Sequence, residues 1–358
     1  LKISHGLLGL ALILAQGNAV AYALVDSLRM HFVKRYDKQF FIGPVLRQRT
    51  VSFQLQNRFD KNNKITYRPN NEYNAGIRMH LFGIGLEGSV SIPWAKKSAA
   101  RLGGSEVFDI SFNSIGEKWI SEFSYQRYNG LYLKPSWLGL KSDDVFPQRP
   151  DLEVRSTSFA TMYIFNHRKF SEEAPYLFTE HQNNSSGSFL FGLIYSKFTV
   201  SSQLPIISEE DQTYFRSGAD ARHLDFVSFS LMPGYSYTFV HKNIFLNLTA
   251  QGGLAHYWIN FQTMGGGNHY DIDINLSAAY RVALGYNGDN FFYGITFNSR
   301  NTRSEVLETN FSATSSTFRI LAGLRIKEKG IFAKRLTDLE KLVFRKRGTK
   351  QSLASRQQ

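Results

Sequence analysis

The chain of 358 residues contains no cysteine, so neither a disulfide framework nor thiolate chemistry is open to it. Proline is sparse, with 9 residues. After the first twenty-odd residues no apolar run approaches the roughly 18 residues of a membrane-crossing helix. Acids are outnumbered, with 29 Asp and Glu against 42 Lys and Arg, a formal charge of +13. That balance suits nucleic acid, an anionic lipid surface or an acidic polymer. No Gly-Lys-Ser/Thr follows a glycine run, so MGGGNH at 264–269 lacks the phosphate-loop chemistry and reads as a flexible loop.

Aromatics are abundant instead, at 15% of the chain, with 30 Phe and 18 Tyr. YDIDINLSAAYRVALGY, residues 270–286, shows how they are used. Its even positions from Ile272 to Tyr286 are apolar or small, and its odd positions carry Asp271, Asp273, Asn275, Ser277 and Arg281. Strict alternation places alternate residues on opposite faces of a strand. This run exceeds the usual strand of about 5–6 residues.

The pattern recurs at 39–57, 72–82, 85–92, 107–115, 118–128, 152–166, 188–199, 223–240, 243–258, 291–300 and 317–326, which with 270–286 makes twelve segments with no helical pattern between them. Tight turns are expected at Gly83-Ile84, Gly116-Glu117, His241-Lys242 and Gly288-Asp289, and longer polar loops at the other end. The connection around 167–187 breaks that rule. The expected fold is all-β: an antiparallel, up-and-down transmembrane barrel of about 12 strands, spanning 39–326, in the outer membrane of a Gram-negative cell. A secreted β-sandwich is the rival, with shorter strands and an evenly polar outer face.

The ends differ in kind. Residues 1–21 carry Lys2, an apolar stretch and Ala19-Val20-Ala21, the pattern of a cleaved signal peptide. Residues 22–38 form a lead segment. From Lys327 on, ten Lys and Arg stand against three acids. Phe332, Leu336, Leu339 and Val343 recur at helical spacing there. A short amphipathic helix over 331–345, in a basic periplasmic tail at 327–358, would suit anionic lipid or an envelope protein partner.

YRPNN at 67–71, YQRYNGLYL at 125–133, RPDLEVRS at 149–156 and SSGSFLFGLIYS at 185–196 resemble an uncharacterised family of Bacteroidota outer-membrane barrels, the domain of unknown function 4421 family. The resemblance spans about 40–335. It implies a barrel in the outer membrane and brings no catalytic residue, substrate or cofactor.

Alternation assigns the side chains. The lumen is expected to hold Arg78, His80, Glu87, Asp109, Glu122, Asp271, Asp273, Arg281, Arg319 and Arg325, of both signs. A one-signed ring would mark an ion-selective pore. Mixed signs pair with one another, so the face reads as structural, with a narrow solute channel as the alternative. Trp94, Tyr257, Trp258, Tyr270, Phe291 and Tyr293 are expected to form membrane girdles. Asp271 and Asp273 share a face as a metal pair would, but read as lumen polarity, and no metal or cofactor is expected. A lipid-active enzyme would need a serine beside the outward His256, and the neighbouring outward positions, Val227, Phe229, Ile272 and Ile274, offer none. The expected function is therefore non-enzymatic: a scaffold or accessory subunit of a cell-envelope complex, without nucleic acid. If Gly83-Ile84 makes a two-residue turn, opposing residues sum to 167, and His80 faces Glu87 in the lumen.

Overall fold

The computed structural model describes residues 27–327, apart from 37–38, 71–72, 82–83, 92–95, 216–219 and 307. The signal peptide, most of the lead segment's first part, the basic tail with its expected helix, and Trp94 lie outside the described residues.

A helix α1 (Ser27–Phe32) and a short strand β1 (Val33–Arg35) precede the barrel. Then come β2 (Gln39–Asn57), β3 (Lys64–Arg68), β4 (Asn74–Leu81), β5 (Ile84–Ser91), helix α2 (Lys96–Leu102), β6 (Glu106–Ile115), β7 (Trp119–Pro135) and β8 (Gln148–Ile164). Helix α3 (Glu173–Tyr176) and β9 (Glu180–Gln182) follow, then β10 (Ser186–Ser201), β11 (Ala221–His241), β12 (Ile244–Thr263), β13 (Asn268–Asn287), β14 (Phe291–Val306) and β15 (Thr309–Lys327).

Every neighbouring pair is antiparallel, and β15 returns to β2 from Thr309↔Asn57 to Lys327↔Gln39. The sheet therefore closes. Its complete ring runs β2–β3–β7–β8–β10–β11–β12–β13–β14–β15, ten strands rather than twelve of one kind. The extra strands β4, β5 and β6 branch from it. In the upper half β3 bridges β2 and β7 through Phe53↔Tyr67 and Tyr67↔Leu133. In the lower half the wall detours from β2 through β4, β5 and β6 to β7. β3 escaped the sequence reading because five residues give too little alternation to stand out from a polar loop.

β12 and β14 also run on past the expected strand ends. The polar loop expected after residue 300 is a hairpin closed at Val306↔Thr309. Alternation of hydropathy weakens there because the outer face has left the apolar belt, while Val306, Phe311 and Ala313 still pack inward and backbone pairing continues.

The outer face carries a belt of apolar side chains. On β15 these are Phe318, Ile320, Ala322, Leu324 and Ile326, and Ser316, Thr314 and Ser312 take the same face above them. The belt's height on this strand fits the roughly 9–11 residues of a tilted membrane crossing. Aromatics rim its lower edge, where Tyr286 stacks on Phe291 and Tyr293 at 5.1 and 5.4 Å and Trp119 meets Tyr163 at 4.9 Å. Trp258, Tyr270, Phe291 and Tyr293 face outward, 48, 77, 47 and 52% exposed. Tyr257 does not join them. It is 4% exposed and packs in the core, since the residue before an outward Trp258 must point inward.

Inside, the upper half is solid. Val51, Phe53, Leu55, Tyr67, Tyr128, Leu133, Leu152, Phe226, Tyr257, Phe261 and Phe311 pack with Ile206, Ile207 and Phe215 of the β10–β11 connection, which folds down over them. The lower mouth is filled by the 165–185 connection and the lead segment. β1 pairs with β9, Val33↔Gln182 to Arg35↔Glu180. Tyr176 and Phe178 enter the barrel and pack on Phe41, Phe245, Phe292 and Leu321. Phe178 holds φ at 62°, the left-handed region a bulky residue avoids. Its ring, stacked at 4.6 Å on Phe292 and edge-on at 5.7 Å to Phe245, secures that strained backbone.

Candidate functional site: a charged chamber behind the branched wall

Between the apolar cap and the lower plug lies a layer of charge. It begins with β2, whose inward positions change from Val45 to Arg47 and Arg49, then back to Val51. Pairing places Arg319 of β15 opposite Arg47 and Thr317 opposite Arg49. Like charges directly opposite repel. The carboxylates that offset them come from the branch. Glu87 on β5 lies 2.8 Å from Arg47 and 3.4 Å from Arg319. Asp109 on β6 lies 3.1 Å from Arg47 and 2.5 Å from Arg49. On the other side Glu122 of β7 accepts from Arg281 of β13 at 3.1 Å, with buried Arg300 as its second cationic neighbour. Arg78 of β4 donates to the Tyr176 backbone carbonyl of the plug at 3.2 Å.

Removing one partner of such a buried pair costs about 3–5 kcal/mol, because the other charge is left uncompensated. The network is nonetheless imperfectly aligned. Arg47 Nε, Arg319 Nε and Glu87 Oε1 have no hydrogen-bond partner among the described residues, although Glu87 Oε1 sits at ion-pair distance from Arg47.

Apart from His80, the structure distributes the sequence-predicted lumen set over three places. Arg78, Glu87, Asp109 and Arg319 gather behind the branch, and Glu122 with Arg281 lines the same chamber. Arg325 lies at the mouth, donating to Phe178 O at 2.8 Å and stacking on Tyr36 at 3.8 Å. Asp273 sits near the opposite rim, accepting from Ser304 Oγ and the Glu305 amide at 2.9 Å each, while Asp271 is exposed. The two aspartates do not converge, and no three His, Asp or Glu side chains group as a metal site among the described residues.

His80 is the correction. Its partner is Gly85, and Arg78 takes the place opposite Glu87. Leu81 pairs with Ile84, so opposing residues sum to 165 instead of 167, and Gly83 of the expected turn lies outside the described residues. A shift of two leaves every side chain on its expected face and changes its neighbour. It delivers Glu87 to a group of guanidiniums instead of one imidazole. His80 stacks on Phe41 at 5.4 Å and has no carboxylate opposite it.

Arg47, Arg49 and Arg300 belong to the chamber and were missed. LRQRT interrupts the apolar alternation of β2, and its odd positions were the available signal. Glu172, Tyr176 and Phe178 carry no periodic signal at all, because they lie in a connection.

The plug brings buried acids. Arg29 donates to both oxygens of Glu180, at 2.8 and 2.7 Å, and Ser171 Oγ donates at 2.6 Å. Glu173 accepts from Thr179 at 2.6 Å, and burial with the nearby Glu180 charge pushes its carboxyl up. Glu172 accepts from Ser236 at 3.1 Å, and burial pushes it up to about 7, against the opposing pull of Arg281. A carboxyl raised in the docked state stabilises docking below its free value near 4.5 and loses that contribution as pH rises towards 7. The shift corresponds to about 3 kcal/mol. The apparent melting temperature is therefore expected to fall by several degrees between pH 5 and pH 8. Glu172→Gln should remove the Glu172 share of that fall and leave the part carried by the raised Glu173, and an unchanged slope would show that Glu172 does not titrate with docking.

The four motifs that resemble the barrel family lie along β3, β7, β8 and β10. Tyr67 is fully buried, and Asn70 Nδ2 donates to Gly103 O at 2.6 Å where β3 leaves for β4. Tyr128 OH crosses to Arg49 O at 3.2 Å, and Gly130, with φ of 80°, forms the bulge in β7. A Cβ at Gly130 would meet Gly104 O at 2.6 Å. Arg149 pairs with Asp151 at 2.8 Å and donates to Pro205 O and Ile206 O of the cap. Three of the motifs thus build the branch and its roof, and the fourth begins β10.

The family profile of a domain of unknown function, DUF4421, matches residues 25–325. The chain belongs to the DUF4421 family. In this DUF4421 chain the matched span takes in the barrel, the plug and the branch. No curated protein matches it. Among solved structures, the outer membrane protease OmpT of Escherichia coli is similar at 8% identity, covering 82% of this chain and 98% of that one, with a TM-score of 0.39. Ail, the attachment invasion locus protein of Yersinia pestis, in complex with the heparin analogue sucrose octasulfate, gives 11% identity, 81% and 99% coverage, and 0.23. The toluene transporter TodX of Pseudomonas putida gives 8%, 82% and 90%, and 0.25. None reaches 0.5, so the barrel assignment for this DUF4421 protein rests on its own strand pairing.

Proposed function

We propose that this protein is a plugged barrel of the Gram-negative outer membrane that serves a cell-envelope complex as a non-enzymatic scaffold or accessory subunit. The outer apolar belt supports the membrane location, because a closed barrel satisfies its backbone internally while its outward side chains meet lipid. The observation that carries the role is the double closure. The chain fills its own lumen from above with the β10–β11 connection and from below with the lead segment and residues 165–185. Such a barrel anchors rather than conducts. Its lower face would be the side offered to a periplasmic or envelope partner.

His256 supports the non-enzymatic reading. It lies outward against Trp258 at 4.4 Å, and its cross-strand neighbours are Phe229 and Ile274. In planar bilayers the reconstituted protein is expected to show no stable conductance steps above baseline. Sustained steps would replace the scaffold with the alternative, a narrow solute channel. Turnover of phospholipid by the purified protein would overturn the non-enzymatic reading.

A further inference from the structure

The barrel wall is unevenly sewn. β4 pairs with β5 along both strands, and β6 pairs with β7 from Glu106 to Ile115. Between β5 and β6 the pairing among the described residues is Gly85↔Asn113 alone. Unpaired backbone facing hydrocarbon costs several kcal/mol per group, so this seam is the weak line of the wall.

Behind it stands Arg47. Its guanidinium reaches Glu87 on β5 at 2.8 Å and Asp109 on β6 at 3.1 Å, and donates to Ser89 Oγ on β5 at 3.1 Å. One side chain from β2 therefore grips both edges of the seam. The charge there is unbalanced. Arg47, Arg49, Arg78 and Arg319 face Glu87 and Asp109, four positive groups against two negative, an excess of +2. Arg47 is 5% exposed, and its Nε has no hydrogen-bond partner among the described residues. On the outer side Val90 of β5 and Phe108, Ile110 and Phe112 of β6 are exposed and apolar.

We propose that the β5–β6 seam is a lateral gate in the barrel wall, and that the arginine cluster behind it seats the anionic head group of an amphiphile drawn from the bilayer. The head group replaces Glu87 or Asp109 on Arg47, which releases one edge of the seam. The acyl chain stays outside against Phe108, Ile110 and Phe112. The excess charge gives an anion a favourable seat, and the apolar outer edge gives its chain a track. The inference rests on the membrane-barrel reading but not on the scaffold role.

The test uses the full chain in lipid nanodiscs, with insertion checked in each sample by heat-modifiable migration. Three probes carry a diazirine beside the head group: a fatty acid, a phosphatidic acid and a neutral monoacylglycerol. Gly88 and Ile110 would face each other if the Gly85↔Asn113 pairing continued, and a Cβ at Gly88 meets nothing within 4 Å. The native chain has no cysteine, so Gly88→Cys with Ile110→Cys can be tethered cleanly by a short bis-maleimide. Anionic probes are expected to label peptides 45–51 and 315–321 at least tenfold above the neutral probe. The tether should reduce that labelling to the neutral level, and Arg47→Leu should abolish the anionic preference. Arg319→Gln keeps the latch and should lower labelling severalfold, which covers a failure of the Arg47 variant to fold. Preference for the fatty acid or for the phosphatidic acid distinguishes a carboxylate from a phosphate head. Equal labelling with the tether in place, or by the neutral probe, overturns the gate. An inserted barrel without lumen labelling sinks the gate alone, whereas a chain that fails to insert sinks the membrane reading beneath it.

Discussion

Phe178→Ala is expected to undock the lower plug. The ring is fully buried and stacks on Phe292, and losing such a side chain costs about 3–5 kcal/mol. Glycine-like backbone at φ of 62° is held there by that packing, so the strain works with the cavity and not against it. Around the ring, Arg325 donates to Phe178 O, Asn287 donates to Glu180 O at 2.9 Å, and Tyr176 OH donates to Asn247 Oδ1 at 2.8 Å. These polar contacts position the plug, whereas the aromatic cluster holds it. Ser230, 3% exposed on the inner face of β11, offers a near-isosteric reporter as Ser230→Cys in a chain otherwise free of cysteine. Labelling of that thiol by a bulky maleimide should rise at least about tenfold when Phe178→Ala is added, since 1.4 kcal/mol already changes an equilibrium tenfold. Bilayer conductance should stay at baseline, because the upper cap is untouched. Unchanged labelling would mean that the polar contacts suffice to dock the plug.

That asymmetry also explains what the sequence could show. β13 was legible because its outward face is constrained by apolar surroundings and its inward face by charge. The same constraint placed Arg78, Glu87, Asp109, Glu122, Arg281 and Arg319 on the inner face. Register is a finer matter. A two-residue slip at the β4–β5 turn preserves every face, so hydropathy cannot choose between His80 and Arg78 as the partner of Glu87, and only the company of Arg47 and Arg319 decides it. β3 was hidden by its length. Residues 165–185 were hidden because a plug has no period: its contacts are with side chains from strands far away in sequence, as Tyr176 with Asn247 and Phe178 with Phe292. Tyr257 misled because an aromatic beside Trp258 looks like a belt residue until alternation is applied to both.

The branch gives the second large effect. Tyr67 on β3 is fully buried, its ring stacked on Phe53 at 4.4 Å with the planes 5° apart, and its hydroxyl donates to Ile206 O at 2.8 Å. It joins the short bridging strand to the cap in one side chain. Tyr67→Ala should cost about 3–5 kcal/mol, as for other large aromatic deletions. The expected result is a lower urea midpoint, followed by intrinsic tryptophan fluorescence, together with faster proteolytic nicking of the 202–215 connection. Tyr67→Phe separates the two roles. The Ile206 carbonyl also accepts from Arg149 at 3.0 Å, so losing the hydroxyl leaves it one donor and should cost about 1 kcal/mol or less. A Tyr67→Phe midpoint close to that of Tyr67→Ala would mean that the hydroxyl, not the ring, holds the cap. If both variants matched the wild type, the upper ring would close without β3 as its bridge, and the lower detour through β4, β5 and β6 would have to carry the wall by itself.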